Sequence, residues 1–126
     1  MAIDTSTFEY ADSRLQDLYR HLKKCGYDVN FPGIKSGECK APYIVIKNDG
    51  GTKHSSFSSN VDLYSVMCYV PKQSYSTLEP MVQEVKERMK ELVPMFHPQG
   101  QETPSYYDDS VKAHMVSIEY KNYKKL

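Results

Sequence analysis

Two adjacent carboxylates, Asp108 and Asp109, follow Tyr106 and Tyr107 in the stretch SYYDDS. Paired carboxylates on a turn are the residue types that hold divalent metal ions for phosphoryl transfer, because their oxygens are hard ligands and their charges offset the ions. That chemistry has positional requirements. A Tyr-x-Asp-Asp metal turn lies between two apolar strands and needs a further carboxylate from elsewhere to share two ions. Here the preceding residues are Gln101, Glu102, Thr103, Pro104 and Ser105, which favour turns. The 126-residue chain is also too short for the palm, fingers and thumb that surround such a turn in a polymerase. Asp108, Asp109 and Ser110 are therefore expected to form a turn capped by its own side chains, leading into a final strand.

Other residues of chemical interest meet similar limits. Gly50 and Gly51 lie near Lys53, but the strand, Gly-x-x-x-x-Gly-Lys-Ser/Thr spacing and following helix of a phosphate-binding loop are absent. The segment NDGGTKHSSFSSN reads instead as an extended hairpin tip. His21, His54, His97 and His114 are scattered, with no i, i+4 pair among them and no four-ligand zinc pattern. Cys25, Cys39 and Cys68 are odd in number and lack a C-x-x-C spacing, which argues against a disulfide framework and suits a reducing cytoplasm. Spacing places no Ser-His-Asp, Cys-His or paired-glutamate constellation. No catalytic residue, cofactor or metal is assigned.

Composition points to one domain, residues 1–126, with 40% apolar residues and roughly two-thirds of the unfolded surface buried on folding. The 16 basic and 16 acidic residues cancel, so no whole-chain field favours a nucleic acid or an anionic membrane. MAIDTSTFEYADSRL lacks a cationic start followed by an apolar run, and nothing later approaches the about 18 consecutive apolar residues of a membrane span. A soluble, non-secreted chain is expected.

Around these residues the hydrophobic periodicity sets the elements. Phe8, Ala11, Leu15, Leu18, Leu22 and Cys25 recur at steps of three and four, predicting a helix opened by a Ser6-x-x-Glu9 capping box and closed at Gly26. Tyr27, Val29 and Phe31 alternate up to Pro32-Gly33, a short strand. YIVIKNDGG predicts a second strand that turns back at Asn48-Asp49-Gly50-Gly51. VDLYSVMCYV has apolar residues on both faces and is expected in the middle of the sheet. A second capping box, Ser76-x-x-Glu79, opens a helix whose inner face carries Leu78, Met81, Val82, Val85, Met89 and Leu92, with a Glu84–Arg88 pair outside and Pro94 as its stop. MFHPQGQETPSYYDDS predicts a long connection and VKAHMVSIEYKNY a closing strand. The expected class is α+β, a mixed or antiparallel sheet packed against two helices in the order α-β-β-β-α-β.

The run YVPKQSYSTLEPMVQEVKERMKEL followed by HPQGQETPSYYDDSVKAHMVSIEYKNYKK, together with the FPG turn, APYIVIKNDGG and the amphipathic first helix, resembles the tail terminator or tail-completion (head-tail joining) proteins of long-tailed bacteriophages and prophages. The resemblance extends over nearly the whole chain. It implies a non-enzymatic structural protein that assembles in the host cytoplasm. There it would form a homo-oligomeric ring, a hexamer, on the head-proximal end of the tail tube in the neck of the virion. The ring stops tube growth and offers the docking surface for the head connector, so the implied partners are other copies of itself, the tail tube protein and the connector or stopper protein. A head-side stopper or adaptor is the nearest alternative, and a small α+β ligand-binding module or enzyme a more distant one. Assembly residues are expected on loops: His54, Ser55, Ser56 and Phe57 on the hairpin segment, and Gln101, Glu102, Tyr106 and Tyr107 on the long connection. Phe57 would be an apolar anchor, and Phe57→Ala is expected to weaken assembly while leaving the monomer folded.

Overall fold

The computed structural model describes residues 13–53, 59–93 and 95–125. Helix α1, Ser13–Lys24, buries Leu18 and Leu22 completely and rests Leu15 and Tyr19 against the same cluster. The capping box predicted for it, Ser6 and Glu9, lies outside the described residues. Its C-terminal end follows the sequence. Gly26 has φ +100°, its amide donates to the Lys23 carbonyl at 3.0 Å, and the Tyr27 amide reaches back to Leu22 at 3.3 Å. These two bonds satisfy carbonyls that the helix leaves open. A Cβ at Gly26 would meet no atom within 4 Å, so Gly26→Ala meets only the backbone penalty of positive φ. The expected loss is about 1–2 kcal/mol, read as a lower denaturation midpoint.

Among the described residues there are six strands, β1 (Val29–Asn30), β2 (Tyr43–Lys53), β3 (Ser59–Pro71), β4 (His97–Glu102), β5 (Tyr106–Asp108) and β6 (Ala113–Lys125). They lie in the order β1-β2-β3-β6-β4, with β5 also paired to β6. Only β1 and β2 run parallel; the other pairs are antiparallel. The α+β class and the two helices on a mixed sheet agree with the sequence reading, and β3 is central as its two-sided apolar pattern required.

Several local expectations give way. Asn48-Asp49-Gly50-Gly51 is a bulge within β2, because Asn48 pairs with Tyr64 and Gly50 with Leu63, leaving Asp49 as the extra residue. Gly50 takes φ +98° and donates its amide to Asn48 Oδ1 at 2.7 Å. Bulges and tight turns use the same positive-φ chemistry, so the residues alone did not separate them.

The second helix is α2, Leu78–Met89, entered through a 3-10 turn at Lys72–Thr77. The Ser76/Glu79 capping box does not form. Thr77 is the N-cap residue, makes no side-chain cap, and donates its hydroxyl to the Ser74 carbonyl at 2.7 Å. The preceding turn supplies a backbone acceptor instead, the Leu78 amide bonding to the Tyr75 carbonyl. Pro80 fits in the first helical turn, where a missing amide leaves no helical bond unmade. The expected Glu84–Arg88 pair is also replaced: Glu84 accepts the Tyr27 hydroxyl, and Arg88 turns to Glu91 at 3.1 Å. Pro94 is outside the described residues.

The predicted long connection contains β4 and β5. Both lie antiparallel along the same edge of β6, β4 opposite Ile118–Lys121 and β5 opposite Ala113–Met115. Between them Thr103 spans the break: its amide donates to the Ser117 carbonyl at 2.9 Å, and its Oγ1 accepts the Ser117 amide at 2.9 Å. Pro98 and Pro104 suppress the alternating pattern in sequence, yet proline is tolerated on an edge strand.

Both helices cover one face of the sheet. Leu18 and Leu22 from α1, and Val82, Val85 and Met89 from α2, enclose Ile44, Ile46, Val66, Cys68, Ile118 and Tyr120. Phe96, between α2 and β4, completes this core. Among the described residues no helix is long and apolar enough to cross a membrane.

Candidate functional site

Strand alternation sends Tyr43 and Val45 of β2, Met67 and Tyr69 of β3, and Ala113 and Met115 of β6 to the face opposite the helices. A smaller core forms there around Cys39, Tyr43, Val45 and Ala113. Its cover is the segment 31–42, held down where the Cys39 amide donates to the Val111 carbonyl at 2.7 Å. Tyr43 and Tyr69 stack at 4.9 Å, and Lys35 sits over the Tyr43 ring at 5.3 Å while its ammonium pairs with Asp28 at 2.9 Å. Burial pushes both tyrosine hydroxyls up to about 12. They stay protonated across the physiological range, so their rings act as packing surface and their hydroxyls as neutral hydrogen-bonding groups.

A groove of about 240 Å³ remains between this cover and the sheet, lined by Phe31, Lys35, Tyr43, Met67, Tyr69 and Asp108 among others. Beside it, Tyr106 pairs with Met115 and is half exposed. Tyr107 pairs with His114 on the other face, where the His114 ring also meets Tyr75 at 4.7 Å. The Tyr75 hydroxyl lies 3.0 Å from Ser105 Oγ, and His114 Nε2 lies 3.2 Å from the Lys72 carbonyl. One end of the sheet thus presents three tyrosines from two segments, the turn before α2 and β5, with exposures of 54% for Tyr75, 50% for Tyr106 and 36% for Tyr107. Large, rigid side chains left this open supply contact area at little entropic cost.

Asp108 and Asp109 form the turn that the sequence implies. Asp108 Oδ1 accepts the Ser110 amide at 3.0 Å and its hydroxyl at 2.6 Å, while Asp109 pairs with Lys112 at 3.2 Å. Lys112 adopts φ +52° to bring the chain into β6. The two carboxylates are committed to different partners, and the pair shapes the hairpin that carries Tyr106 and Tyr107.

Of the other expected interface residues, Glu102 lies in β4 and pairs with Lys86 of α2. Two grooves, of about 300 and 280 Å³, open between α2 and the sheet edge, and Glu102 lines both. Gln101 lies in β4, where its backbone alone is described. His54, Ser55, Ser56 and Phe57 lie outside the described residues, so the expectation for Phe57 does not bear on this face.

Sequence spacing passed over Tyr75 and His114, which reach Tyr107 only through the sheet register. Histidine spacing alone also does not show a cluster of donor atoms, among the described residues, that combines one histidine with other residue types. His21 on α1 and Cys25 just past its end stand four apart, and with Glu91 they bring three donor atoms within 4.8 Å of one another. No protein-family model matches the chain, and no curated protein matches it.

Proposed function

We propose that the chain is a non-enzymatic structural protein of the tail-terminator kind, which caps the head-proximal end of a bacteriophage tail tube as a ring of six subunits. In this role it stops tube growth and offers the docking surface for the head connector. The observation that supports the reading most is the tyrosine-rich end of the sheet. Tyr75, Tyr106 and Tyr107 stand out from a rigid hairpin and turn, beside the edge formed by β4 and β5. A ring subunit needs such a surface twice, once for its neighbour and once for the tube. The broken, proline-containing edge suits a protein that must not pair its strands with another copy before a tube end templates the ring.

The test is negative-stain microscopy of the protein added to growing tubes of the tube protein encoded in the same genome. Rings on one end of each tube, with growth arrested, are the expected result. Bare, elongating ends in the presence of folded protein would overturn the reading. Binding to the head connector in that case would move the chain to the head side of the neck.

A further inference from the structure

We propose that His21, Cys25 and Glu91 form a binding site for one divalent transition-metal ion, best suited to zinc. The site is independent of the assembly role. Cys25 follows the last residue of α1, and its amide donates to the His21 carbonyl at 3.1 Å, a continued helical turn that sets the two side chains on one face. Glu91 comes from the 3-10 turn Lys90–Leu92 that continues α2. The Nε2 atom of His21 is 3.2 Å from Glu91 Oε1 and 3.9 Å from Cys25 Sγ.

Those distances fit a coordination sphere. With zinc bonded at about 2.0–2.1 Å to nitrogen, about 2.0–2.2 Å to oxygen and about 2.3 Å to sulfur, the nitrogen–oxygen edge of a tetrahedron is about 3.4 Å and the nitrogen–sulfur edge about 3.6 Å. The observed separations differ from these by a few tenths of an ångström, within the reach of side-chain adjustment. One nitrogen, one sulfur and one oxygen donor form a set that zinc accepts readily, whereas magnesium and calcium prefer oxygen alone.

The surroundings orient the donors. Arg88 Nη1 holds Glu91 Oε2 at 3.1 Å, which leaves Oε1 turned toward His21. The Arg88 carbonyl lies 2.8 Å from His21 Nε2 and, without metal, accepts a hydrogen bond from the Nε2–H tautomer. On binding, the imidazole shifts its proton from Nε2 to Nδ1 and offers the Nε2 lone pair to the ion, while the Cys25 thiol releases its proton to solvent. The fourth position falls to water or to the nearby carbonyl. Exposure favours entry: Cys25 is half-buried and the Glu91 side chain 48% exposed, whereas Cys39 and Cys68 are buried elsewhere. A bound ion would clip the end of α1 to the end of α2.

The test uses the full chain, stripped of metal with a chelator and titrated with zinc against a chromophoric competitor, and separately with cobalt. One zinc per chain, a thiolate-to-cobalt charge-transfer band and a melting temperature raised by about 5–10 °C at a hundredfold excess over Kd are expected. Cys25→Ser and His21→Gln should each weaken zinc binding by at least about 100-fold and Cys25→Ser should remove the cobalt band, while Cys39→Ser changes neither. Glu91→Gln, at an exposed side chain, gives the same loss of affinity without risk to the fold. Zinc binding equal in the wild type and Glu91→Gln, or cobalt bound with no thiolate band, would overturn the proposal.

Discussion

Phe96→Ala is expected to lower the stability of the domain by about 3–5 kcal/mol, the range for emptying a large aromatic site in a packed core. Phe96 has no exposed surface and meets the equally buried Tyr64 edge-on, with ring centroids 5.2 Å apart and planes at 79°. Its amide also closes the exit from α2 by donating to the Leu92 carbonyl at 3.1 Å. Removing the ring deletes the edge-on contact with Tyr64 and opens a void between α2 and the central strands, which neighbours fixed by a helix and a sheet fill poorly. Against a typical total of about 5–15 kcal/mol, the loss is a large share of what holds the domain folded. Urea unfolding should show a much lower midpoint at an unchanged slope. A loss under about 1 kcal/mol would mean that the site collapses freely.

Tyr106→Ala should separate assembly from folding. The side chain is half exposed and belongs to the edge strand β5, where it pairs with Met115. Its removal is expected to change stability by no more than about 0.5 kcal/mol. If Tyr106 anchors a contact, truncation costs about 2 kcal/mol of binding, or roughly 30-fold in the protein concentration needed to cap half of the tube ends. Tyr69→Ala is the contrasting variant, because Tyr69 stacks on Tyr43 and its loss destabilises the monomer as well. Unchanged capping by a folded Tyr106→Ala protein would place the contact on another face.

The elements with a strong single period were legible in the sequence. The apolar stripe of α1, its exit at Gly26 and the two-sided strand β3 follow from residue spacing alone, because each depends on contacts that repeat along one segment. What was lost depends on distant partners. β4 is read as a loop because Pro98 and Gly100 interrupt it, and only β6 alongside makes it a strand. Phe96 stands in that same stretch and was not counted in the core, though it is among the largest fully buried side chains. Glu84 looks free to meet Arg88 along the helix until Tyr27 arrives from the start of the sheet. The site behaves in the same way. Tyr106 and Tyr107 were singled out from the sequence, but Tyr75 and His114 join Tyr107 through a register that no local pattern encodes.

The central pairing of β3 with β6 has a consequence for the chain while it is being made. Pro71 meets Ala113 and Ser59 meets Lys125, so each rung closes a loop that contains all of α2, β4 and β5. β2 and β3 can zip together as soon as both have left the ribosome, whereas the partner on the other side of β3 is synthesised long afterwards. Through that interval β3 offers an open, apolar edge on which another nascent chain could pair. Substitutions that weaken β6 should therefore appear first as a loss of soluble yield.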